Sequence, residues 1–143
     1  MYEEYTRQAL PSKEYRELLG TALAVFNSNN SFMIENFLRV SNTQDTWHSL
    51  IDLPSGRLKS RVEKVLAENS RQDIVDLFKE LIDMRNRIIH SFQITNSSGE
   101  QVLATKEPEK MGSAQFEITM DYLMEFIKKN EKLSSELHKF RGF

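Results

Sequence analysis

Three side chains near the middle of the chain have types and spacing that suit phosphate chemistry. They are Arg85, Asn86 and His90, an Arg-x4-His pattern with an asparagine directly after the arginine. A planar guanidinium can contact two phosphate oxygens at once, and histidine exchanges protons near neutral pH. RNA cleavage without a metal ion needs a base for the ribose 2′-hydroxyl and a cation for the charge that builds on the phosphate. These three residues could supply both groups, with the asparagine orienting the phosphate or the histidine.

The periodicity of the surrounding segment, from Ser70 to Phe92, predicts a long amphipathic helix. Its apolar positions fall within an arc of roughly 140° at about 100° per residue. These positions are Ile74, Leu77, Phe78, Leu81, Ile82, Ile88, Ile89 and Phe92. Arg85 falls near the middle of that arc, which predicts a guanidinium on the buried face of the helix. Burial of an arginine is costly unless another group pairs with it.

Glu35, on a predicted helix earlier in the chain, is a candidate partner for Arg85, although an ordinary surface carboxylate is the commoner reason for a glutamate at such a position. Asp83 is close in sequence but about 200° away around the helix, so it is poorly placed to pair with Arg85. Arg87 is also about 200° from Arg85. We interpret Arg87 as a solvated charge or a residue that steers substrate, rather than as a catalytic group.

The Arg-x4-His pattern late in a long helix of an all-helical chain resembles the HEPN family (higher eukaryotes and prokaryotes nucleotide-binding domains). The resemblance implies a small helical domain, and many such domains are metal-independent ribonucleases of toxin–antitoxin, abortive-infection and CRISPR-linked defence systems. It further implies a homodimer in which both motifs face one cleft. Arg85, Asn86 and His90 would be the catalytic residues, RNA the substrate and a neutralising antitoxin a candidate protein partner.

One position departs from a pattern found in some members of that family. These members carry a tyrosine two residues after the motif histidine, and a partner nucleotidyltransferase adenylylates it. Here that position is Phe92, which has no hydroxyl group. The departure puts this form of silencing in doubt without affecting the nuclease interpretation.

Two other functions remain open at the level of sequence. The chain could be a HEPN-like module that binds a nucleotide or a protein without cutting RNA, since fold does not fix function. It could also be a structural interaction domain in which Arg85 belongs to a buried ion pair. Gene neighbourhood or activity would separate these alternatives from the nuclease.

A second basic group lies on one face of the third predicted helix. Arg57, Arg61 and Lys64 follow at helical spacing there. They could hold RNA phosphates, although a solvated helix face is the commoner reason for such a pattern.

Composition excludes several kinds of site. The chain of 143 residues has 39% hydrophobic and 28% charged residues and a net charge of −2, so RNA contact would depend on a local basic patch. It has no cysteine, which excludes disulfides and thiolate metal sites, and its three histidines are too scattered to suggest a metal site. We expect no cofactor, no metal and no membrane span, and the start of the chain has no signal-peptide pattern, so we expect a cytoplasmic protein.

The remaining patterns predict an all-α single domain over 1–143, a four- to five-helix bundle with a small β-hairpin inserted before the last helix. A first helix opens at Ser12 and is followed by a turn at 27–30, a second helix at 32–38, a short turn of helix near Trp47 and a third helix at 58–66. We expect Ser70, with Asp73, to cap the motif helix and Thr119 to cap the last one. The hairpin is predicted over 92–106, followed by a loop through Pro108 and Gly112.

Overall fold

The computed structural model describes residues 1–107, 112 and 114–142, and its architecture is mainly helical. Within these residues, five α-helices surround one core, and a three-stranded antiparallel sheet precedes the last helix. After a short 3₁₀ turn at Tyr2–Tyr5, the elements are α1 (Lys13–Val40), α2 (Trp47–Ile51), α3 (Ser55–Glu68), α4 (Gln72–Ile89), β1 (Phe92–Thr95), β2 (Gln101–Lys106), β3 (Gln115–Ile118) and α5 (Met120–Arg141). The predicted helical bundle with an insert before the last helix is confirmed in outline.

The first helix is longer than expected, and the predicted turn at 27–30 is wrong. α1 runs without interruption for 28 residues. Asn29, within the predicted turn, is buried and donates from Nδ2 to the backbone oxygen of Asn130 at 2.8 Å and to its Oδ1 at 3.0 Å. Because α5 satisfies this amide, tertiary packing overrides the low helix propensity of the asparagine run.

Aromatic rings from three helices meet at the centre of the molecule. Phe26 of α1 lies against Phe78 of α4 and Phe126 of α5, with ring centroids 6.4 Å and 6.0 Å away. All three side chains are fully buried. Stacked rings of this kind add to the free energy gained from burying their apolar area. This packing holds α1 and α4 side by side near Arg85.

Both ends of α4 differ from the sequence prediction. Ser70 is not the N-cap: it has a φ of 60° and ends α3, with its N–H bonded to Ala67 O and the N–H of Arg71 bonded to Leu66 O. This is a Schellman-type closure. At the other end the helix stops at Ile89, so Phe92 lies in β1 rather than on the helical stripe.

The sheet contains the predicted hairpin and one further strand. β1 and β2 pair with Ile94 opposite Val102, as expected for a hairpin over 92–106. β3 adds to the other side of β2, with Leu103 opposite Ile118. The prediction of a loop missed β3 because a strand of four residues carries little periodic signal. Pro108, which the prediction placed in that loop together with Gly112, lies outside the described residues.

Tyr15 joins α1 to the sheet, and α5 begins directly after β3. The hydroxyl of Tyr15 on α1 donates to Ile118 O at 2.6 Å and accepts from the N–H of Leu103 at 3.1 Å. Thr119 caps α5 by accepting from the N–H of Tyr122, as predicted. No helix in the described part of the chain is long and apolar enough to cross a membrane.

Candidate functional site

One cleft brings together the three residues of the Arg-x4-His motif. It has a volume of about 580 Å³, within the range of small-molecule sites. Its walls come from α1, the α2–α3 connection, the start of α3 and the end of α4. The lining residues are Phe26, Asn27, Asn30, Ile51, Leu53, Pro54, Ser55, Gly56, Arg85, Asn86, Ile89 and His90. These residues include an arginine and a histidine but no carboxylate, so the cleft is suited to an anion.

Arg85 is half-buried and is held by weak contacts rather than by an ion pair. Its guanidinium carbon lies 5.4 Å from the centre of the Phe26 ring, a cation–π distance. Its Nη1 is 3.4 Å from Ser55 Oγ and 3.4 Å from Asn86 Oδ1, both long for hydrogen bonds. Within the described residues no carboxylate lies at ion-pair distance. The guanidinium therefore keeps much of its capacity to bind an anion.

Glu35 makes no ion pair with Arg85 among the described residues, and its exposure agrees with the interpretation of an ordinary surface carboxylate. Glu35 is an exposed residue of α1 and lines a different, smaller pocket together with Asn36, Arg39 and Arg141. Nine residues of helix separate it from Phe26, the α1 residue under Arg85, which is about 13–14 Å along the helix axis. The alternative in which Arg85 belongs to a buried ion pair therefore has no carboxylate partner among the described residues.

His90 lies at the mouth of the cleft, at the C-cap of α4. Its backbone N–H bonds to Asn86 O at 3.0 Å, so the residue follows Asn86 by one helical turn, and its side chain lines the cleft with those of Arg85 and Asn86. The side chain is exposed and makes no hydrogen bond to any residue that the structure describes. The imidazole is therefore accessible to a ligand bound in the cleft.

The start of α3 forms a wall of the cleft that the sequence analysis did not identify. Pro54 is the N-cap of α3 and provides no side-chain cap, while its carbonyl accepts from Arg57 and Leu58. The N–H groups of Ser55 and Gly56 consequently lack intrahelical partners. With the helix dipole, they add partial positive charge next to the Arg85 guanidinium. In the sequence, the only local feature that could have indicated this wall was Pro-Ser-Gly directly before a helical pattern.

α1 contributes two amide side chains that sequence reasoning also missed. Asn27 and Asn30 line the cleft from the helix segment that had been predicted as a turn. Because α1 continues through this segment, both residues stay on the side of Phe26 that faces Arg85. Their position in the cleft could be predicted only if α1 were known to continue through 27–30, and that continuity depends on the packing of α1 against α5.

Arg87 lies outside the cleft and has a structural contact. Its Nη1 donates to the backbone oxygen of Lys106 at the end of β2. It thus links α4 to the sheet and is not among the residues that line the cleft. Its suggested role in steering substrate stays a prediction.

The basic face of α3 is divided by an ion pair. Arg61 binds Asp45 at 2.5 Å, and the hydroxyl of Thr43 together with Arg61 lowers the pKa of the Asp45 carboxyl below its usual value. Arg57 and Lys64 are exposed and make no ion pair within the described residues. These two cations remain available for a polyanion, whereas Arg61 is already compensated.

A second cleft, of about 610 Å³, is chemically different. It lies between the starts of α1 and α5 and the hairpin turn, and its lining includes the carboxylates Glu14, Glu100 and Glu117 but no basic side chain. An anionic substrate would be repelled there. Among the described residues, no group of three or more histidine, aspartate and glutamate side chains is placed to hold a metal ion.

The chain matches no protein-family model, no curated protein and no solved structure. The assignment of a function therefore depends on the chemistry of the Arg85 cleft.

Proposed function

We propose that the protein is a metal-independent endoribonuclease of the HEPN type that cleaves RNA at the Arg85 cleft, with a role in a toxin–antitoxin or phage-defence system. One observation supports this most strongly. A half-buried guanidinium with no carboxylate partner among the described residues shares a cleft with a solvent-accessible imidazole and the uncapped start of a helix. Each of these groups favours a phosphate, and histidine adds the ability to move a proton.

Each group has a separate role in the proposed reaction. His90 takes the proton of a ribose 2′-hydroxyl, and the O2′–phosphorus bond forms as the phosphorus–O5′ bond breaks. Arg85 stabilises the negative charge that builds on the non-bridging phosphate oxygens. A protonated imidazole supplies the proton for the departing 5′-oxygen. The products are a 2′,3′-cyclic phosphate and a 5′-hydroxyl end.

Pairing of two protomers would supply the second imidazole. Each protomer offers one histidine in its cleft, while the reaction uses one imidazole as base and another as acid. Two apolar side chains flank His90 and face solvent, Ile89 at 44% and Phe92 at 45% exposure. A twofold dimer that buries this apolar rim would bring the two His90 side chains near the axis.

The direct test is cleavage of a mixed-sequence RNA in the presence of EDTA. We expect the parent protein to cut it and to leave 2′,3′-cyclic phosphate ends. His90→Ala should lose about 10²–10⁴-fold in rate. His48→Ala removes an exposed histidine of α2 outside the cleft and should leave the rate unchanged. Cleavage that requires added magnesium or manganese, or no cleavage by the parent, would contradict the proposal.

A non-catalytic nucleotide-binding module is the second candidate, and one observation favours it. The His90 imidazole makes no hydrogen bond to a described residue, whereas a catalytic base is commonly oriented by a third group. Such a module would bind nucleotides in the same cleft through Arg85 and the start of α3. Nucleotide binding by the parent without any RNA cleavage would identify it.

A further inference from the structure

Trp47 is an exposed aromatic residue that lies outside the Arg85 cleft. It is the one tryptophan of the chain, and 37% of its surface is accessible to solvent. Among the described residues the only ring in contact with the indole is that of His48, in a T-shaped arrangement with the ring centroids 5.4 Å apart. No ring of the described part of the chain is stacked on it. The indole therefore offers a planar surface on which another ring can stack.

The geometry of α2 places this indole next to the wall of the cleft. Trp47 and Ile51 are four residues apart, so they lie on one face of the short helix, about 6 Å apart along its axis. Ile51 lines the cleft. Asp52, the C-cap residue, is about 140° from Trp47 around the axis, so its carboxylate does not share that face. A strand that leaves the cleft past Ile51 meets the indole one turn further on.

An uncompensated cation lies on the same side of the cleft. Asp45, two residues before Trp47, pairs with Arg61, so the start of α2 lies within reach of an arginine side chain from the second turn of α3. Arg57 precedes Arg61 by one turn and directly follows Gly56, which lines the cleft. Its side chain is exposed and makes no ion pair within the described residues. Arg57 is thus available to a phosphate next to the cleft.

We propose that Trp47 and Arg57 form a second RNA-binding subsite, for the nucleotide adjacent to the one held at Arg85. The indole stacks on the base of this nucleotide, and the guanidinium of Arg57 binds its phosphate. The inference rests on the proposed function, because it takes the ligand to be an RNA strand that passes through the Arg85 cleft. Stacking on an aromatic side chain tolerates every base but needs a base with a free face. The subsite therefore selects single-stranded RNA over duplex RNA.

The single tryptophan allows a direct test, because tryptophan fluorescence reports on Trp47 alone. The probe is a single strand of 2′-O-methyl RNA of about eight nucleotides, which has no free 2′-hydroxyl and so cannot be cut by the proposed reaction. Two comparison ligands are the duplex of the same strand, whose bases are paired, and inorganic polyphosphate, which has the charge without the bases. We expect the single strand to quench the fluorescence and the other two ligands to change it little.

Variants of the protein separate stacking from charge. With a labelled strand followed by fluorescence anisotropy, Trp47→Leu should weaken binding by about 5- to 100-fold. Trp47→Phe retains a ring and should keep most of the affinity. Tyr5→Leu removes an exposed aromatic residue outside α2 and the cleft, and it should bind like the parent. Arg57→Gln should lower the slope of log affinity against log salt concentration by about 0.7, whereas Lys128→Gln, on α5, should leave it unchanged.

RNA cleavage gives a second readout that a loss of folding would not produce. Trp47→Leu should raise KM and leave kcat close to that of the parent, because the indole does not touch the reacting atoms. Melting temperatures establish that each variant is folded. The quenching of the parent and the affinity of Trp47→Phe decide the question even if Trp47→Leu is unstable.

A single strand that binds the parent without quenching, or a folded Trp47→Leu that binds as tightly as the parent, would overturn the inference. Quenching by polyphosphate as strong as that by RNA would also overturn it, since the indole would then not respond to bases. Each of these results is compatible with RNA cleavage in EDTA and would leave the proposed function intact. Quenching by the single strand without any cleavage of RNA would support the subsite and contradict the nuclease. A parent that neither binds nor cuts RNA would overturn both.

Discussion

The guanidinium carbon of Arg85 lies 5.4 Å from the centre of the Phe26 ring, and this contact explains how a charged side chain occurs on the apolar side of α4. Phe26 is itself buried against Phe78 and Phe126. The Arg85 guanidinium lies over the face of the Phe26 ring that the other two rings leave free, and the ring stays buried beneath it. A cation over an aromatic face is attracted by the ring quadrupole, while the nitrogen atoms at its edge stay accessible from the cleft.

Replacement of Arg85 by leucine should abolish RNA cleavage and leave the fold intact. The substitution loses a cation–π contact but strands no carboxylate, and apolar replacements of buried charges are often neutral or stabilising. We expect the free energy of unfolding to change by no more than about 1 kcal/mol. Thermal melting and a cleavage assay on the same preparations measure both effects.

Arg39 offers the matched control for this substitution. Its guanidinium also lies over an aromatic ring, 5.7 Å from the centre of Phe140, but outside the Arg85 cleft. Arg39→Leu should therefore keep full cleavage. A collapsed Arg85→Leu protein together with a parent that cuts no RNA would favour a structural role for Arg85.

Replacement of Tyr15 by phenylalanine should destabilise the protein by about 1–3 kcal/mol. The change removes the acceptor of the Leu103 N–H and the donor to Ile118 O, and so leaves two backbone groups without these bonds. Urea denaturation measures the difference. Tyr5→Phe alters a tyrosine that is 86% exposed and should have no effect. Equal stability of the two variants would mean that the Tyr15 hydroxyl does not tie α1 to the sheet.

Stability should fall at alkaline pH partly through Tyr122. Burial raises the pKa of its hydroxyl from the usual 10.0 to about 12, and the hydroxyl also donates to Met84 O at 3.3 Å. A raised pKa means that the folded state favours the neutral form. Its contribution is complete below pH 10.0 and is lost as the pH rises from 10.0 to about 12.

Tyr122→Phe isolates this contribution from that of Tyr15, whose pKa is also raised by burial. Urea denaturation of the parent and the variant between pH 8 and pH 11 gives the comparison. We expect the parent to lose more stability than Tyr122→Phe above pH 10. Parallel curves for the two proteins would show that the Tyr122 hydroxyl titrates alike in the folded and unfolded states.

Local patterns predicted the elements whose signals lie in neighbouring residues. The hairpin over 92–106 and the Thr119 cap of α5 have the expected positions, because turn and capping residues act within a few positions of themselves. The turn at 27–30 was predicted wrongly because the partner of Asn29 is Asn130, about a hundred residues away in the chain. Ser70 resembled a cap but adopts a left-handed conformation, which depends on how α3 ends.

The residues of the candidate site also differ in whether local sequence patterns could predict them. Arg85, Asn86 and His90 share one helix end, so helical spacing alone predicted that they lie close together. Asn30 and Ser55 come from two other helices, and only the packing of α1 and α3 against α4 brings them to the same cleft. The sequence left the role of Glu35 open for the same reason, because sequence pattern does not say which turn of α1 faces Arg85.

The last prediction concerns assembly, which the HEPN-type mechanism requires. Phe92 begins β1, two residues after His90, and is exposed although it is apolar. If the rim around His90 is the dimer interface, Phe92→Glu should place two like charges near the twofold axis and dissociate the dimer. Cleavage should fall with the loss of the second imidazole, while the melting temperature of the protomer changes little because Phe92 is not part of the core. Sedimentation at micromolar concentration, together with the cleavage assay, measures both effects.

Met124→Glu changes a residue of α5 with a similar exposure, 40%, and should leave a cleaving dimer. A parent that sediments as a monomer and still cuts RNA would contradict the paired-site mechanism, since a single protomer would then provide both acid and base.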